Sequence, residues 1–478
     1  MISIFKKFFK LVLIFVATLM IYYPSINGFY TNDDFYHLKI AHATNLSQFV
    51  DFFNLEKSSG GQLLYRPLTT HVFYFLGWFL FNLNPIGLHI VSFVLLLIII
   101  ICVYKIAKLI SGDEQISILA TFLYATSATH FGHLYYLATE LVLGAVFFPT
   151  IIFFINYIKS GKIWDYILSI VFFCLALLAK ENSVVLVPIF IALYIYFYLI
   201  KDKLIKPKSL VISLIPFVAA LLAYLYLHFF SYGFVKGDSY IWNLSPLTAL
   251  NTILWYGAWS LNIPEMFLDF IGPGFKLNPN LLKYWSLEVI PIFVFFIVEC
   301  VIIAWAFIKS YKNKLLLRYV SYIFWFLITL LPILFLPLHK FTFYLTLPLL
   351  GVTLFIAQIL KDYKNITKFF CLAWLITTIL TLNLTVKTNW ITNGEIISRN
   401  VYNYVNTNKE ILINKTILFY DSSEDVSLPF SPTSTIKNAL SDNNFFDVFY
   451  NGNIKAVYDG RDHGKNTIKI KSRQFIGY

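Results

Sequence analysis

Apolar stretches long enough to cross a bilayer recur along this chain, and every second gap between them is rich in lysine. A crossing helix needs roughly 20 mostly apolar residues. Stretches of that kind fall near 8–27, 86–104, 116–131, 137–158, 164–180, 184–200, 209–230, 287–308, 318–337, 341–360 and 366–386, about eleven in all. Backbone amides have no water to bond in hydrocarbon, so runs of this length must be helical. The alternate gaps hold Lys6/Lys7/Lys10, Lys105/Lys108, Lys159/Lys162, Lys201/Lys203/Lys206/Lys208, Lys309/Lys312/Lys314/Arg318 and Lys361/Lys364/Lys368. Short basic loops stay cytoplasmic. An odd number of crossings with these loops inside predicts an N-terminus inside and a C-terminus outside. The chain is expected to be an all-α polytopic membrane protein.

Composition agrees. The 478 residues are 58% hydrophobic and only 13% charged, where a soluble domain has about a quarter charged. The net charge of +12 sits largely in the topology-setting loops and does not point to nucleic acid. Cys102, Cys174, Cys300 and Cys371 all lie in apolar runs without metal-ligand spacing, so they read as small apolar residues with no disulfide framework. Lys6, Lys7 and Lys10 before Leu11–Ile21 resemble a signal peptide, but bulky Tyr22-Tyr23-Pro24 follows, so the stretch reads as an uncleaved first helix.

Only one crossing fits between the external residues 28–66 and the internal Lys105. Leu68–Leu83 should therefore lie along the interface or re-enter, as should Trp- and Tyr-rich Pro246–Asn262 within the external segment 231–286. Beyond about residue 387 the composition turns to Asn, Ser, Asp, Lys and Gly. Thr416–Tyr420 and Thr467–Ile470 read as short strands there. The division expected is a membrane domain over 1–386 and a small external domain over 387–478.

Sorted by side, the unusual polar residues gather on the outer face. Asp33, Asp34 and His37 follow the first span, and Tyr65-Arg66-Pro67-Leu68 closes the same loop. His130 and His133 end the third span, Glu140 opens the fourth, Lys180-Glu181 form the next outer turn, and His339-Lys340 with Tyr344 form the last. The spans' ionisable residues are expected at their outer edges. Charges so near a membrane are expensive unless paired, hydrated or used. A carboxylate there can act as general base, while Arg and Lys can hold a phosphate. Together they suit group transfer from a lipid phosphate. Plainer readings stand beside each: an N-cap for Asp33-Asp34, a local ion pair for Lys180-Glu181, interfacial histidines for His130 and His133, a water-facing Glu140. Asp33 and Asp34 could also hold a divalent cation.

The order of these motifs resembles the GT-C glycosyltransferases. It is most similar to the protein O-mannosyltransferase and aminoarabinose-transferase relatives, in particular to the membrane part of the TPR-containing O-mannosyltransferases, without the repeats. The likeness is carried by the early Asp33-Asp34 loop, Tyr65-Arg66-Pro67-Leu68, His130-x-x-His133 before Glu140, and Leu177-Leu178-Ala179-Lys180-Glu181. The resemblance implies a GT-C type fold in which Asp34, or its neighbour Asp33, is the catalytic acid of the first loop. Arg66 and the Lys180-Glu181 pair match family positions, and Glu140 aligns with the fourth span's acid. Where relatives often have an Arg-Tyr pair in the late outer turn, this chain has His339-Lys340-Phe341-Thr342-Phe343-Tyr344, which makes Lys340 the substitute.

The expectation is a multi-pass plasma-membrane glycosyltransferase with its active site facing outside. It would move a sugar from a polyprenyl-phosphate donor to an acceptor that is a protein, lipid or glycan. Asp34 or Asp33 would activate the acceptor; Arg66, Lys180 and Lys340 would hold the phosphate; Glu181 would orient Lys180. Glu140, His133, His37 and Tyr344 would shape the pocket. No cofactor is required, and a divalent metal is the less favoured option. A lipid-linked saccharide flippase, or a polysaccharide polymerase or ligase, is the alternative.

Overall fold

The structure, a computed structural model, describes residues 2–55, 64–137, 139–231, 233, 237, 239–272, 276–311, 315–458 and 466–476. Lys312 and Lys314 of the fifth basic loop lie outside them. Among the described residues, eight helices are long and apolar enough to cross a membrane: Phe9–Asn27, Pro85–Ser111, Glu140–Ser160, Glu181–Leu199, Pro207–Phe230, Asn280–Ser310, Leu316–Ile333 and Lys364–Thr388. The other three expected crossings are the shorter helices Glu114–Ala125, Ile163–Ala179 and Leu349–Leu360. The fold is an all-α polytopic membrane protein.

The three short helices have a common reason for stopping. Each gives way at the same end of the bundle to tight turns: Ala128–His130 after the first, Glu181–Val185 after the second, and Thr342–Thr346 before the third. Non-helical backbone at membrane depth is tolerated where it is buried in protein or lines a cavity. Those turns carry His130, Glu181 and Tyr344, so the helical breaks and the polar residues coincide.

Pro85–Ser111 packs on both Glu114–Ala125 and Glu140–Ser160, the latter on Ile163–Ala179, and Asn280–Ser310 on Lys364–Thr388. Outward faces stay apolar: Leu13, Val16 and Met20 on the first helix and Leu287, Ile290, Val294 and Ile297 on Asn280–Ser310 are exposed. Exposed apolar stripes on this scale are what a helix turned toward lipid presents. One residue departs from the expected placement of charge. Glu299, fully buried within Asn280–Ser310, accepts a hydrogen bond from Thr377 Oγ1 at 2.6 Å, so not every ionisable group of the spans sits at an outer edge. Its neighbours in sequence are all apolar, and the partner comes from a helix 78 residues on.

Leu68–Leu83 holds no helix of crossing length. A π-helical turn, Pro67–Val72, leads into the helix Phe73–Phe79, and Asn82 and Leu83 then turn at φ 48° and 63° before Pro85 opens the long helix. The helix Pro246–Trp259 is two-faced: Leu247, Leu250 and Leu254 are exposed, while Thr252, Tyr256 and Trp259 are buried. An amphipathic helix of this kind suits a bilayer surface.

Past Asn389, which caps Trp390–Thr407 by accepting the Ile391 amide at 2.9 Å, the chain forms a small α/β unit. Thr416–Tyr420 and Thr467–Lys471 are strands, joined by Lys455–Val457; Thr416–Tyr420 lies in the middle and both neighbours run parallel to it. Its core, with Ile417, Phe419, Ile436 and Phe446, continues into Phe29, Tyr30 and Phe35 of the first loop. Phe35 meets Phe445 edge to face at 5.2 Å, and Lys39 pairs with Asp447 at 2.8 Å.

This shared core predicts that Phe445→Ala, a truncation of a fully buried ring, costs about 3–5 kcal/mol. Limited proteolysis in detergent should then cut the chain after residue 390 while the membrane helices stay intact. Unchanged resistance would mean that the two parts are not packed as one core.

Candidate active site

The first loop is held by its own backbone. Thr31 N–H donates to Asp34 Oδ2 at 3.0 Å and Asp34 N–H returns a bond to Thr31 O at 3.1 Å, which closes the start of the helix Asp33–Ile40. Two acids in a first turn also suit the helix dipole. Asn32 sits at φ 51°, ψ −125°, a conformation a non-glycine residue adopts only under constraint. The constraint comes from the C-terminal unit: Asn32 N–H donates to Ala439 O at 2.8 Å, and Gly394 presses so closely that a Cβ there would lie 2.3 Å from Thr31 Oγ1.

Neighbouring helical residues point about 100° apart, so the two aspartates diverge. Asp34 is buried; its Oδ1 accepts from the Tyr74 hydroxyl at 2.7 Å, and the same hydroxyl lies 2.9 Å from Leu137 O. Burial pushes the Asp34 carboxyl up to about 7. Asp33 instead faces an open cavity of about 310 Å³, where the Tyr136 hydroxyl bonds to it. The protein mass around Asp33 raises its pKa, and the Tyr136 bond opposes the rise.

The same cavity is lined by His37, Arg66, Glu140, Lys180 and Tyr344. Arg66 grips Glu181 through two bonds, Nε to Oε2 at 2.7 Å and a terminal nitrogen to Oε1. Lys180 is fully buried against Glu140, donates to Thr139 Oγ1 at 3.2 Å and stands 4.6 Å from the centre of the Tyr344 ring. Each cation thus has its own carboxylate, and Glu181 orients Arg66, while Glu140 takes the part expected of Glu181 at Lys180. The reason is local: Lys180 is extended at φ −164° between a helix and a tight turn, which sends Lys180 and Glu181 to different partners. Burial, with Arg66 beside it, holds the His37 pKa down to about 3, so this ring is neutral.

Other expected residues sit farther back. His133 contacts Thr346 Oγ1 at 2.7 Å, and His130 Nε2 donates to Tyr124 O at 2.8 Å; these buried rings tie the turn at 128–134 to the turn at 342–346 and the end of a helix. The Lys340 amine donates to Asn251 Oδ1 at 2.5 Å and does not line the cavity. His339, of the late outer turn, lines it too, whereas Tyr74, Tyr136, Tyr240 and Trp390, which also do, carry no signal as single residues in an aromatic-rich sequence. His339 Nε2 meets the Tyr344 hydroxyl at 2.6 Å, and Glu265 holds the turn by accepting from Thr342 N–H at 2.6 Å. Among the described residues no three His, Cys, Asp or Glu side chains come together as a metal site.

One cavity of this polytopic membrane protein thus brings together an acid, an arginine and a lysine. Residues 66–227, which include Arg66, Glu140 and Lys180-Glu181, match the family described as dolichyl-phosphate-mannose-protein mannosyltransferase. The chain is thus mannosyltransferase-like, and the match indicates a membrane glycosyltransferase. No curated protein matches it.

The Asp34 surroundings predict a pH effect. An unfolded Asp has a pKa of about 3.9, below the folded value of about 7. Between these values the folded state keeps a proton that the unfolded state has lost, so this group's contribution makes stability fall as pH rises from about 4 to 7. His37, depressed in the fold, contributes the opposite slope below about 6.5. Thermal denaturation of wild type and Asp34→Asn across that range isolates the Asp34 part, and parallel curves would mean that Asp34 stays ionised.

Proposed function

We propose that the chain transfers a sugar from a polyprenyl-phosphate carrier to an acceptor at the outer surface of the plasma membrane. What supports the reading is one observation: Asp33, Arg66 and Lys180, from three distant segments, line a single cavity within the region of family similarity or beside it. Asp33 is the general base. It faces the cavity as an ionisable carboxylate, whereas Asp34 has both oxygens engaged and serves to fix the loop.

The acceptor oxygen attacks the anomeric carbon, the bond from that carbon to the phosphate oxygen breaks with its electrons left on the phosphate, and the acceptor proton passes to Asp33. Arg66 and Lys180 stabilise the leaving phosphate. Arg66 is planar and pre-aimed by Glu181, so it can offer its remaining N–H groups in a fork. Lys180 acts as a point charge in surroundings of low dielectric, where a charge interaction is stronger than in water. The basic loops at the opposite end of the bundle support the outward orientation. Residues 1–386 then form the membrane domain, and 387–478 an external domain that holds Asn32 and Asp33 in place.

Membranes bearing each variant, given labelled polyprenyl-phosphate sugars, test the assignment. Asp33→Asn should lower sugar release about 10²–10⁴-fold, as loss of a general base does, and Asp34→Asn should lower it far less. Arg66→Lys should also lose most activity, because the fork is gone. Activity that survives EDTA would remove the divalent-metal option. The reverse order of the two aspartate variants would move the base to Asp34.

A further inference from the structure

Asp33 and Trp390 line two cavities at once. On one side lies the cavity with Arg66 and Lys180; on the other an open groove of about 640 Å³ runs between the helices Trp390–Thr407 and Pro432–Ala439. If the phosphate occupies the first, the second opens beside the C-terminal unit onto the same carboxylate. We propose that this groove is the acceptor subsite and that it takes an uncharged glycan, presenting one hydroxyl to Asp33. The proposal rests on the transferase reading.

Three features point to that chemistry. The first is charge. Apart from Asp33, the charged groups on the groove are Lys437 and Asp442, which pair with each other at 3.9 Å, so an anionic acceptor would meet no unpaired cation. The second is side-chain type. Trp390, 40% exposed, offers a ring face, while Asn393, Thr435 and Asn438 offer amide and hydroxyl groups. An amide both donates and accepts, as a sugar hydroxyl does, and an aromatic face suits the apolar C–H surface of a sugar ring. The side-chain amides of Asn393 and Asn438 make no hydrogen bond to the described residues, so both can turn to a ligand. The third is what the groove lacks. No residue of the three strands lines it, so a peptide acceptor would find no strand edge to extend by main-chain pairing.

The loop geometry fits this role. Asn32, whose backbone is pinned to Ala439, is itself a groove residue, so the acceptor and the strained turn that aims Asp33 share one wall. In the reaction the glycan hydroxyl oxygen bonds to the anomeric carbon, the phosphate leaves with the electron pair of the broken bond, and the hydroxyl proton ends on Asp33.

The test uses full-length protein in membranes, wild type and the double variant Asn393→Ala/Asn438→Ala. Polyprenyl-phosphate mannose is the labelled donor. The acceptors are neutral oligosaccharides of the hexose and N-acetylhexosamine series or, separately, serine- and threonine-rich peptides. Release of label to water without acceptor is followed in parallel. Expected are transfer to an oligosaccharide by wild type and a roughly tenfold rise in its KM for the variant, as two lost hydrogen bonds give, with release to water unchanged. Transfer to peptides alone, or an unaltered KM, would overturn the glycan subsite while leaving the transferase intact. Absence of any release from the donor by wild type would overturn the transferase and the subsite with it.

Discussion

Charge placed at the rim of an apolar bundle must have a partner, and this requirement organises the site. An isolated lysine with almost no solvent contact would lose its hydration without return, so Lys180 is held only because Glu140 lies against it. The two carboxylates that satisfy Lys180 and Arg66 come from different helical breaks, Glu140 from the start of a long helix and Glu181 from a tight turn. Breaking those helices where they do removes backbone from the rim and leaves the space that the cavity occupies. An apolar pair of the same volume would often be as stable or more so. The retention of two ion pairs at one end of the bundle is therefore better explained by use than by stability.

The aspartate pair follows a different logic. Two carboxylates side by side in sequence repel each other and share the cost of losing water, and the fold separates them by giving each its own surroundings. Asp34 is turned into the protein and satisfied by Thr31 and Tyr74, and Asp33 is turned toward the space beside Arg66. One acid fixes the turn and the other is left available. That division depends on the backbone of Asn32, which is strained and is kept so by Gly394 and Ala439 from the far end of the chain. The C-terminal unit is thus an integral part of the loop's geometry, through contacts that join Thr31 to Gly394 and Asn32 to Ala439.

Much of this was legible in the sequence, for a physical reason. Hydrophobic runs of spanning length and alternating basic loops are repeated, low-resolution signals, and they gave the all-α polytopic class; Leu68–Leu83 and Pro246–Asn262 hold no helix long enough to cross. Rarity did the same for four residues of the cavity: Asp33, Arg66, Glu140 and Lys180 stand out because ionisable groups near apolar runs are scarce. Pairings were not legible, because adjacency suggested Lys180 with Glu181, whereas the backbone break sends them apart. Nor were the roles of Tyr74, Tyr136 and Trp390, since one more aromatic in a chain with 32 tyrosines and 10 tryptophans is no signal. Glu299 is a lone acid in an apolar run with no polar neighbour in sequence, and its Thr377 partner is visible only in three dimensions.

The position of Asp33 between two spaces of different character bears on how such an enzyme would avoid wasting its donor. Water reaches an open groove freely, so a base poised beside a phosphate clamp would activate water as readily as an acceptor. A groove lined by rings and amides lets a bound acceptor displace that water and leave its own hydroxyl as the nearest nucleophile, which raises the effective concentration of the right reactant. Trp390 lines both spaces and meets edge to face, at 5.3 Å, the ring of Tyr136, whose hydroxyl bonds to Asp33. On the proposed reading, one aromatic contact would link acceptor binding to the orientation of the base. The coupling would make the reaction fastest when both spaces are filled.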